Sequence, residues 1–169
     1  MKLAVIYDTK TGTTKQAAEW IAEGMQKVSG VEAEAFSIEA VDEEYVKAAR
    51  GVVIGCPTYA ALMTPGMRTW LLESAGKLEM AGKLGGAFAT EQYTHGGANL
   101  VIQSILTNEL VFGMLCYSGG AACGRPVIHI GPVGVNDNME KFNGMENYKD
   151  YFNIYGERFA TKAAELFGE

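Results

Sequence analysis

The 169-residue sequence contains few cysteines, few histidines and a deficit of positive charge. Its three cysteines, Cys56, Cys116 and Cys123, form no CxxC pair and no cluster with the two histidines. Neither a disulfide framework nor a zinc site is therefore indicated, and reduced thiols are expected. The 14 Lys and Arg residues against 20 Asp and Glu give a formal charge of −6. This balance disfavours a nucleic-acid partner, because such binding needs a basic face.

Long apolar runs are also missing. None approaches the roughly 20 residues of a membrane helix, and no basic leader is recognised before the first apolar run. The sequence therefore predicts a cytoplasmic protein without a membrane partner. Hydrophobic residues make up 48% and charged residues 20%, which is typical of globular domains. Without repeats or linkers, residues 1–169 are expected to form a single domain.

Short β-branched runs alternate with longer amphipathic ones, which predicts βαβ units and a parallel sheet. The expected strands are Leu3–Tyr7, Val31–Ile38, Gly51–Gly55, Leu84–Thr90 and one starting near Met114. The expected helices cover about 15–28, 65–75, 98–112 and 148–167. Within 119–147, only Val127–Ile130 resembles a strand, and His129 within it is expected to be structural. We predict a three-layer α/β fold whose five parallel strands have the order 2-1-3-4-5.

In such a fold the ligand lies beyond the carboxyl ends of the strands, where the strand order reverses. Three loops meet there: Asp8–Thr14, Pro57–Thr64 and Thr90–Gly97. Cys56 borders the second loop and is expected to be a buried thiol.

The first loop is rich in hydroxyl groups and opens directly onto a helix. Hydroxyls, a glycine and free helix-end amides suit a terminal phosphate monoester. The GxxxxGK[ST] and GxGxxG patterns are absent. The alternative is an ordinary turn in which a threonine caps the helix. The candidate ligands are Thr9, Lys10, Thr11, Gly12, Thr13 and Thr14.

This loop resembles the flavodoxin phosphate loop, (Ser/Thr)-x-Thr-Gly-x-Thr. The Pro57-Thr58 pair, Met63 and the MRTWL segment 67–71 resemble the PTRFGNM…MRTFL pattern of WrbA-type NAD(P)H:quinone oxidoreductases. Residues 94–97, THGG, are similar to the TQHGG of that family. Residues 59–62, YAAL, replace its RFGN, and its GGTPYG segment is not recognisable. The resemblance covers most of residues 1–118 and implies a flavodoxin-like fold with bound FMN.

With FMN implied, the other two loops acquire expected roles. Pro57 and Thr58 end a buried strand where backbone N–H groups are expected to meet the isoalloxazine edge. Tyr59 is expected to stack on the ring, unless it is a surface tyrosine. The catalytic candidate is His95, which could hydrogen-bond a quinone oxygen or serve only as a capping or solvent-facing residue. The third loop is expected to supply hydrogen bonds that tune the flavin from Thr90, Glu91, Gln92, Tyr93 and Thr94.

The leading functional hypothesis is an FMN oxidoreductase that passes electrons from NAD(P)H to a quinone or similar small-molecule acceptor. The alternative is a flavodoxin-type electron carrier without substrate chemistry of its own, and an FMN-dependent regulatory or scaffold protein is the third class. The WrbA-type resemblance also implies a homo-tetramer, whereas a carrier is expected to be monomeric. A homo-dimer or homo-tetramer is favoured, with part of the apolar surface at Leu62, Met63, Met67, Val111, Phe112 and Met114 expected outside the core, unless helix–sheet contacts bury all of these residues.

Overall fold

The computed structural model describes residues 1–136 and 148–168. Seven strands and five α-helices alternate along the described chain. The strands are β1 (Lys2–Tyr7), β2 (Glu32–Ser37), β3 (Gly51–Tyr59), β4 (Leu62–Met63), β5 (Leu84–Glu91), β6 (Leu115–Cys116) and β7 (Val133–Val135). The helices are α1 (Thr13–Met25), α2 (Glu43–Ala48), α3 (Pro65–Glu73), α4 (Ala98–Val111) and α5 (Tyr148–Phe167), with short 3₁₀ turns at Ala75–Leu78 and Ala121–Cys123.

The sheet has the order β2-β1-β3-β5-β6, and every pairing along this path is parallel. Since β5 and β6 are the fourth and fifth strands of the predicted fold, the predicted order 2-1-3-4-5 is confirmed. The β3–β5 register runs from Gly51↔Leu84 to Pro57↔Thr90. This register brings the ends of the two strands side by side at the edge where the ligand was expected.

Each face of the sheet is covered by helices, because successive side chains of a strand point to opposite faces. In β1, Leu3 and Val5 pack in the cluster that contains the buried sides of α1 and α5. Ala4 and Ile6 pack in the opposite cluster, with α2, α3 and α4. The result is the predicted three-layer arrangement.

The fifth position of the sheet is shared by two short strands. β6 pairs with Leu84 and Gly85 of β5, and β7 pairs with Ala89, Thr90 and Glu91. The prediction of a strand at Val127–Ile130 is wrong, since the strand lies at Val133–Val135 and His129 is exposed. Before it reaches β7, the chain passes close to β5 at Gly131, where an added Cβ would lie 2.2 Å from the carbonyl oxygen of Ala87.

Two helices also differ from expectation. α1 begins at Thr13 instead of Lys15, because Gly12 adopts a left-handed backbone (φ 94°) immediately before it. α2 was not predicted; it is capped by Asp42, whose carboxylate accepts a hydrogen bond from the Tyr45 amide at 2.9 Å. Among the helices of the described residues, none combines the length and the apolar character needed to cross a bilayer.

The apolar surface expected near α3 and α4 is only partly exposed. Met67 and Met114 are buried in the core, so the alternative of burial in helix–sheet contacts holds for these two residues. Both pack in the cluster between the sheet and its helices. Leu62 and Val111 are exposed, as expected.

Candidate functional site

A cleft of about 260 Å³ opens at the carboxyl ends of β1, β3 and β5. All three predicted loops contribute to it, so the expected convergence is observed. The residues that line it are Lys10, Thr11, Thr13, Thr14, Pro57, Thr58, Tyr59, Thr90, Glu91, Gln92 and Asn136.

The first loop presents the start of α1 to this cleft. The glycine at position 12 offers no capping side chain, and the first turn contains no acidic residue. Amides at a helix start lack intrahelical acceptors and carry partial positive charge, so this end of α1 is suited to an anion. Thr9 Oγ1 accepts a hydrogen bond from the Gly12 amide at 3.1 Å and thereby shapes the turn.

The hydroxyls of the first loop divide into two groups. Thr14 is buried, and its Oγ1 lies 2.7 Å from Thr90 Oγ1, which ties the loop to β5. Thr11 and Thr13 line the cleft, and Lys10 brings a cation to its mouth. Thr9 and Gly12 are joined by a hydrogen bond and are not among the lining residues, while the other four residues of the loop line the cleft.

The second loop is a β-hairpin. β3 continues to Tyr59, and β4 returns antiparallel through the pairs Thr58↔Met63 and Tyr59↔Leu62. The two turn residues, Ala60 and Ala61, have φ values of 49° and 62°. Such a turn is usually built from Gly, Asn or Asp, so alanine at both positions is strained.

Contacts on either side hold this hairpin in place. An added Cβ on Gly97, at the start of α4, would lie 2.5 Å from Ala61 Cβ, so only glycine allows the two loops to approach this closely. Thr64 Oγ1 donates a hydrogen bond to the Asp8 carboxylate and accepts one from the Met67 amide. Behind the hairpin, Cys56 is fully buried as expected, and burial raises the pKa of its thiol to about 11.

The cleft side of the hairpin carries two polar features. Thr58 Oγ1 is buried and has no hydrogen-bond partner among the described residues. Tyr59 is partly exposed, and the Lys10 ammonium lies 5.7 Å from the centroid of its ring. A buried hydroxyl without a partner is uncommon in native proteins, and Thr58 is one of the residues that line the cleft.

Three of the five residues predicted in the third loop line the cleft. Thr90, Glu91 and Gln92 line the cleft, but Glu91 Oε2 accepts a hydrogen bond from the Ala98 amide at 3.1 Å and caps α4. Tyr93, Thr94 and His95 are exposed and are not among the lining residues. The backbone of His95 has a φ of 65°, and its catalytic role stays a prediction.

Comparison with known proteins agrees with this arrangement. The flavodoxin family model matches residues 5–86. A flavodoxin from Clostridium saccharobutylicum is 37% identical over 167 residues, which are 99% of this chain and 100% of that protein.

The chain belongs to the flavodoxin family.

FMN, the cofactor predicted from the sequence, is the cofactor of flavodoxins, so that prediction is confirmed. A more distant relative, named NAD(P)H dehydrogenase (quinone), comes from Chromohalobacter salexigens. It is 27% identical over 137 residues, covering 67% of this chain and 68% of that protein. The crystal structure of a flavodoxin, WrbA-like protein from Agrobacterium tumefaciens has a TM-score of 0.74 at 21% identity. It covers 97% of this chain and 98% of that one, and supports the flavodoxin fold.

Sequence reasoning missed one cleft residue, Asn136. It directly follows β7, and its amide donates a hydrogen bond to the Glu91 carbonyl at 2.8 Å. The only available signal was the apolar run at 133–135, which is too short to identify a strand by periodicity. Because that strand pairs with the end of β5, it delivers Asn136 to the cleft of this flavodoxin.

Proposed function

We propose that this protein is an electron carrier that holds FMN in the cleft and exchanges electrons with redox partner proteins. When bound, FMN supplies the redox chemistry, and the protein supplies position, hydrogen bonds and electrostatics. The observation that carries the proposal is that the start of α1, which has no capping side chain and no acidic residue, meets Thr58 in one cleft, and the buried hydroxyl of Thr58 has no partner among the described residues.

The phosphate of FMN fits the first loop. Thr11 and Thr13 offer hydroxyl donors, the start of α1 offers amides, and Lys10 offers the one cation among the cleft-lining residues. Hydrogen bonds to a charged group contribute about 1.5–3 kcal/mol each. A short loop of this kind suits a terminal monoester better than the pyrophosphate of a dinucleotide. We therefore assign the phosphate to residues 9–14, with Thr9 and Gly12 as positioning residues.

The ring of FMN fits the ends of β3 and β5. We assign the unpartnered hydroxyl of Thr58 to the polar edge of the ring, and Thr90 and Gln92, at and just after the end of the neighbouring strand β5, line the same cleft. We assign Tyr59 to aromatic contact with the ring, which contributes about 1 kcal/mol beyond burial. Lys10, beside the Tyr59 ring, links the phosphate end of the site to this contact.

Three observations favour a carrier over an enzyme. The exposed apolar side chains Tyr59, Leu62 and Tyr93 belong to the two loops at the cleft, which suits transient contact with a protein partner. The candidate catalytic residue His95 is exposed and does not line the cleft. The full-length relative at 37% identity is also named a flavodoxin.

The second candidate is the NAD(P)H:quinone oxidoreductase indicated by the sequence motifs. It is favoured by the relatives named NAD(P)H dehydrogenase (quinone), which are 27–28% identical. In this case NAD(P)H and a quinone are the partners, and His95 is the residue expected to hydrogen-bond the quinone. Location in the cytoplasm stays a prediction for either function.

Anaerobic stopped-flow spectroscopy distinguishes the two functions. The FMN-loaded protein is mixed with excess NADH or NADPH, and the flavin absorbance is followed from milliseconds to minutes. A carrier is expected to keep its absorbance with either nucleotide and to lose it when a flavodoxin reductase is added. Bleaching of the flavin by NADH or NADPH alone within seconds would contradict the carrier function and support the enzyme. In that case, His95→Ala should slow quinone reduction while FMN stays bound.

A further inference from the structure

Two charged side chains line the cleft, Lys10 and Glu91. The charge of Glu91 is compensated, because its carboxylate accepts a hydrogen bond from the Ala98 amide at the start of α4, where helix amides carry partial positive charge. The Asp8 carboxylate, next to the first loop, accepts a hydrogen bond from Thr64 and is not among the lining residues. The acidic groups at the ends of β1 and β5 are thus already engaged with the protein.

Lys10 has no such compensation. Its ammonium forms no ion pair with the carboxylates in residues 1–136 and 148–168. It lies instead 5.7 Å from the centroid of the Tyr59 ring, within the reach of about 6 Å that is typical of a cation–π contact. The side chain therefore extends from the first loop to the second, and its charge lies beside the residue that we assign to the flavin ring.

Reduction changes the charge of the FMN ring and leaves the charge of the phosphate as it was. At pH 8.5 the ring takes up two electrons from a donor and one proton from the solvent, so it gains one negative charge. A cation close to the ring therefore stabilises the reduced state more than the oxidised state. A cation that acts on the phosphate alone stabilises both states equally and leaves the reduction potential unchanged.

We propose that Lys10 tunes the reduction potential of the bound flavin: its ammonium binds reduced FMN more tightly than oxidised FMN and makes the protein easier to reduce. The inference rests on the proposed binding of FMN in the cleft, but it is independent of whether the protein is a carrier or an enzyme. It gives Lys10 a second role, which the assignment of the phosphate to the first loop does not contain.

The expected size of the effect follows from Coulomb's law. The cleft is small, about 260 Å³. Over a separation of about 8 Å, two unit charges change a binding constant by a factor of about 2 to 30, for dielectric constants between those of water and of a protein surface. We expect about tenfold. Because Lys10 is exposed, the effect should shrink in 1 M salt, where the Debye length is about 3 Å.

An anaerobic redox titration of the FMN-loaded, full-length protein at pH 8.5 tests the proposal, with dithionite as the electron donor and a dye of known potential as the reference. Lys10→Met is expected to lose about tenfold more affinity for reduced FMN than for oxidised FMN. For a two-electron couple, a factor of ten corresponds to about 30 mV, so the midpoint potential averaged over both electrons should fall by about this amount. Lys10→Arg keeps the charge and should keep the wild-type potential.

Lys27→Met is the matched control. It removes the same charge from an exposed position just after the end of α1, about 20 Å along the helix axis from its start at the cleft, and its midpoint potential should equal that of the wild type.

A Lys10→Met protein that binds FMN more weakly but keeps the wild-type potential would overturn the proposal and limit Lys10 to the phosphate. So would a control that shifts as far as Lys10→Met, or a Lys10→Arg protein with the potential of Lys10→Met. Each of these outcomes leaves the proposed function standing, whereas a wild type that does not bind FMN would overturn both.

Discussion

Replacing Glu109 by Gln tests how the fold tolerates a buried acid. The gap between β6 and β7 leaves Gly86–Phe88 of β5 without a strand partner on that side. Glu109 reaches into this gap from α4, where the Gly86 backbone and the Cys116 thiol hydrogen-bond to its carboxyl group. Gly85 makes the room, since an added Cβ there would lie 2.5 Å from Glu109 Oε2.

Burial raises the pKa of Glu109 well above its ordinary value of 4.5, and the hydrogen bonds from Cys116 and Gly86 offset only part of this effect. Tyr155 also lies near the carboxyl group, and Cys116, with a pKa raised by burial to about 12, is neutral at physiological pH. The folded protein therefore keeps a proton on Glu109 that the unfolded chain releases. Since the folded state binds more protons, this carboxyl contributes stability below pH 4.5 that is progressively lost as the pH rises toward its folded pKa.

One proton corresponds to a loss of about 1.4 kcal/mol of unfolding free energy per pH unit. Glutamine resembles the protonated acid and does not titrate. The free energy of unfolding of Glu109→Gln should therefore exceed that of the wild type by up to this amount for each pH unit above pH 5. Urea unfolding at pH 5, 6 and 7, with FMN saturating throughout, measures the difference. Glu73→Gln, at an exposed position of α3, is the control, and its free energy of unfolding should change with pH as that of the wild type does. If the free energy of unfolding of Glu109→Gln also has the same pH dependence as that of the wild type, the reasoning is refuted.

Three further predictions follow from single contacts. Thr11→Val should weaken FMN binding by about 1.5–3 kcal/mol in a fluorescence titration, whereas the control Thr107→Val, on the outer side of α4, should leave it unchanged. Equal FMN affinities in the two variants would remove the Thr11 hydroxyl from the site. Ala61→Gly should raise the unfolding free energy by about 1 kcal/mol because it relieves a left-handed alanine, and a loss of stability would show that no strain is held there. Lys83→Met should lower the unfolding free energy by about 2–3 kcal/mol, because the ammonium of Lys83 donates to three carbonyls at the end of α2. A variant that unfolds at the same urea concentration as the wild type would contradict this role.

Much of the fold could be predicted because the buried parallel strands are continuous apolar runs. Leu3–Tyr7 and Gly51–Gly55 were identified for that reason, and their helices follow from 3.6-residue periodicity. The two short strands of the fifth position were harder to predict. Strands of two or three residues have no measurable periodicity, and β7 is defined only by its pairing with β5.

The candidate site was predicted to a similar extent. The hydroxyl-rich loop at Thr9–Thr14 is a local feature, so its sequence was sufficient to locate it. The hydrogen bond from the Ala98 amide to Glu91 and the arrival of Asn136 at the cleft depend on tertiary contacts. Sequence patterns carry no signal for these contacts, so neither the bond from Glu91 to α4 nor the place of Asn136 at the cleft was predicted.

The affinity of the apoprotein for FMN, compared with riboflavin and FAD, tests the central claim most directly. Riboflavin carries the same ring without the phosphate, so the comparison isolates the loop at residues 9–14. Two charge-assisted hydrogen bonds at about 1.5 kcal/mol each correspond to about a 100-fold difference in dissociation constant. We predict that FMN binds at least that much more tightly than riboflavin and more tightly than FAD. Equal binding of FMN and riboflavin, or tighter binding of FAD, would contradict the account.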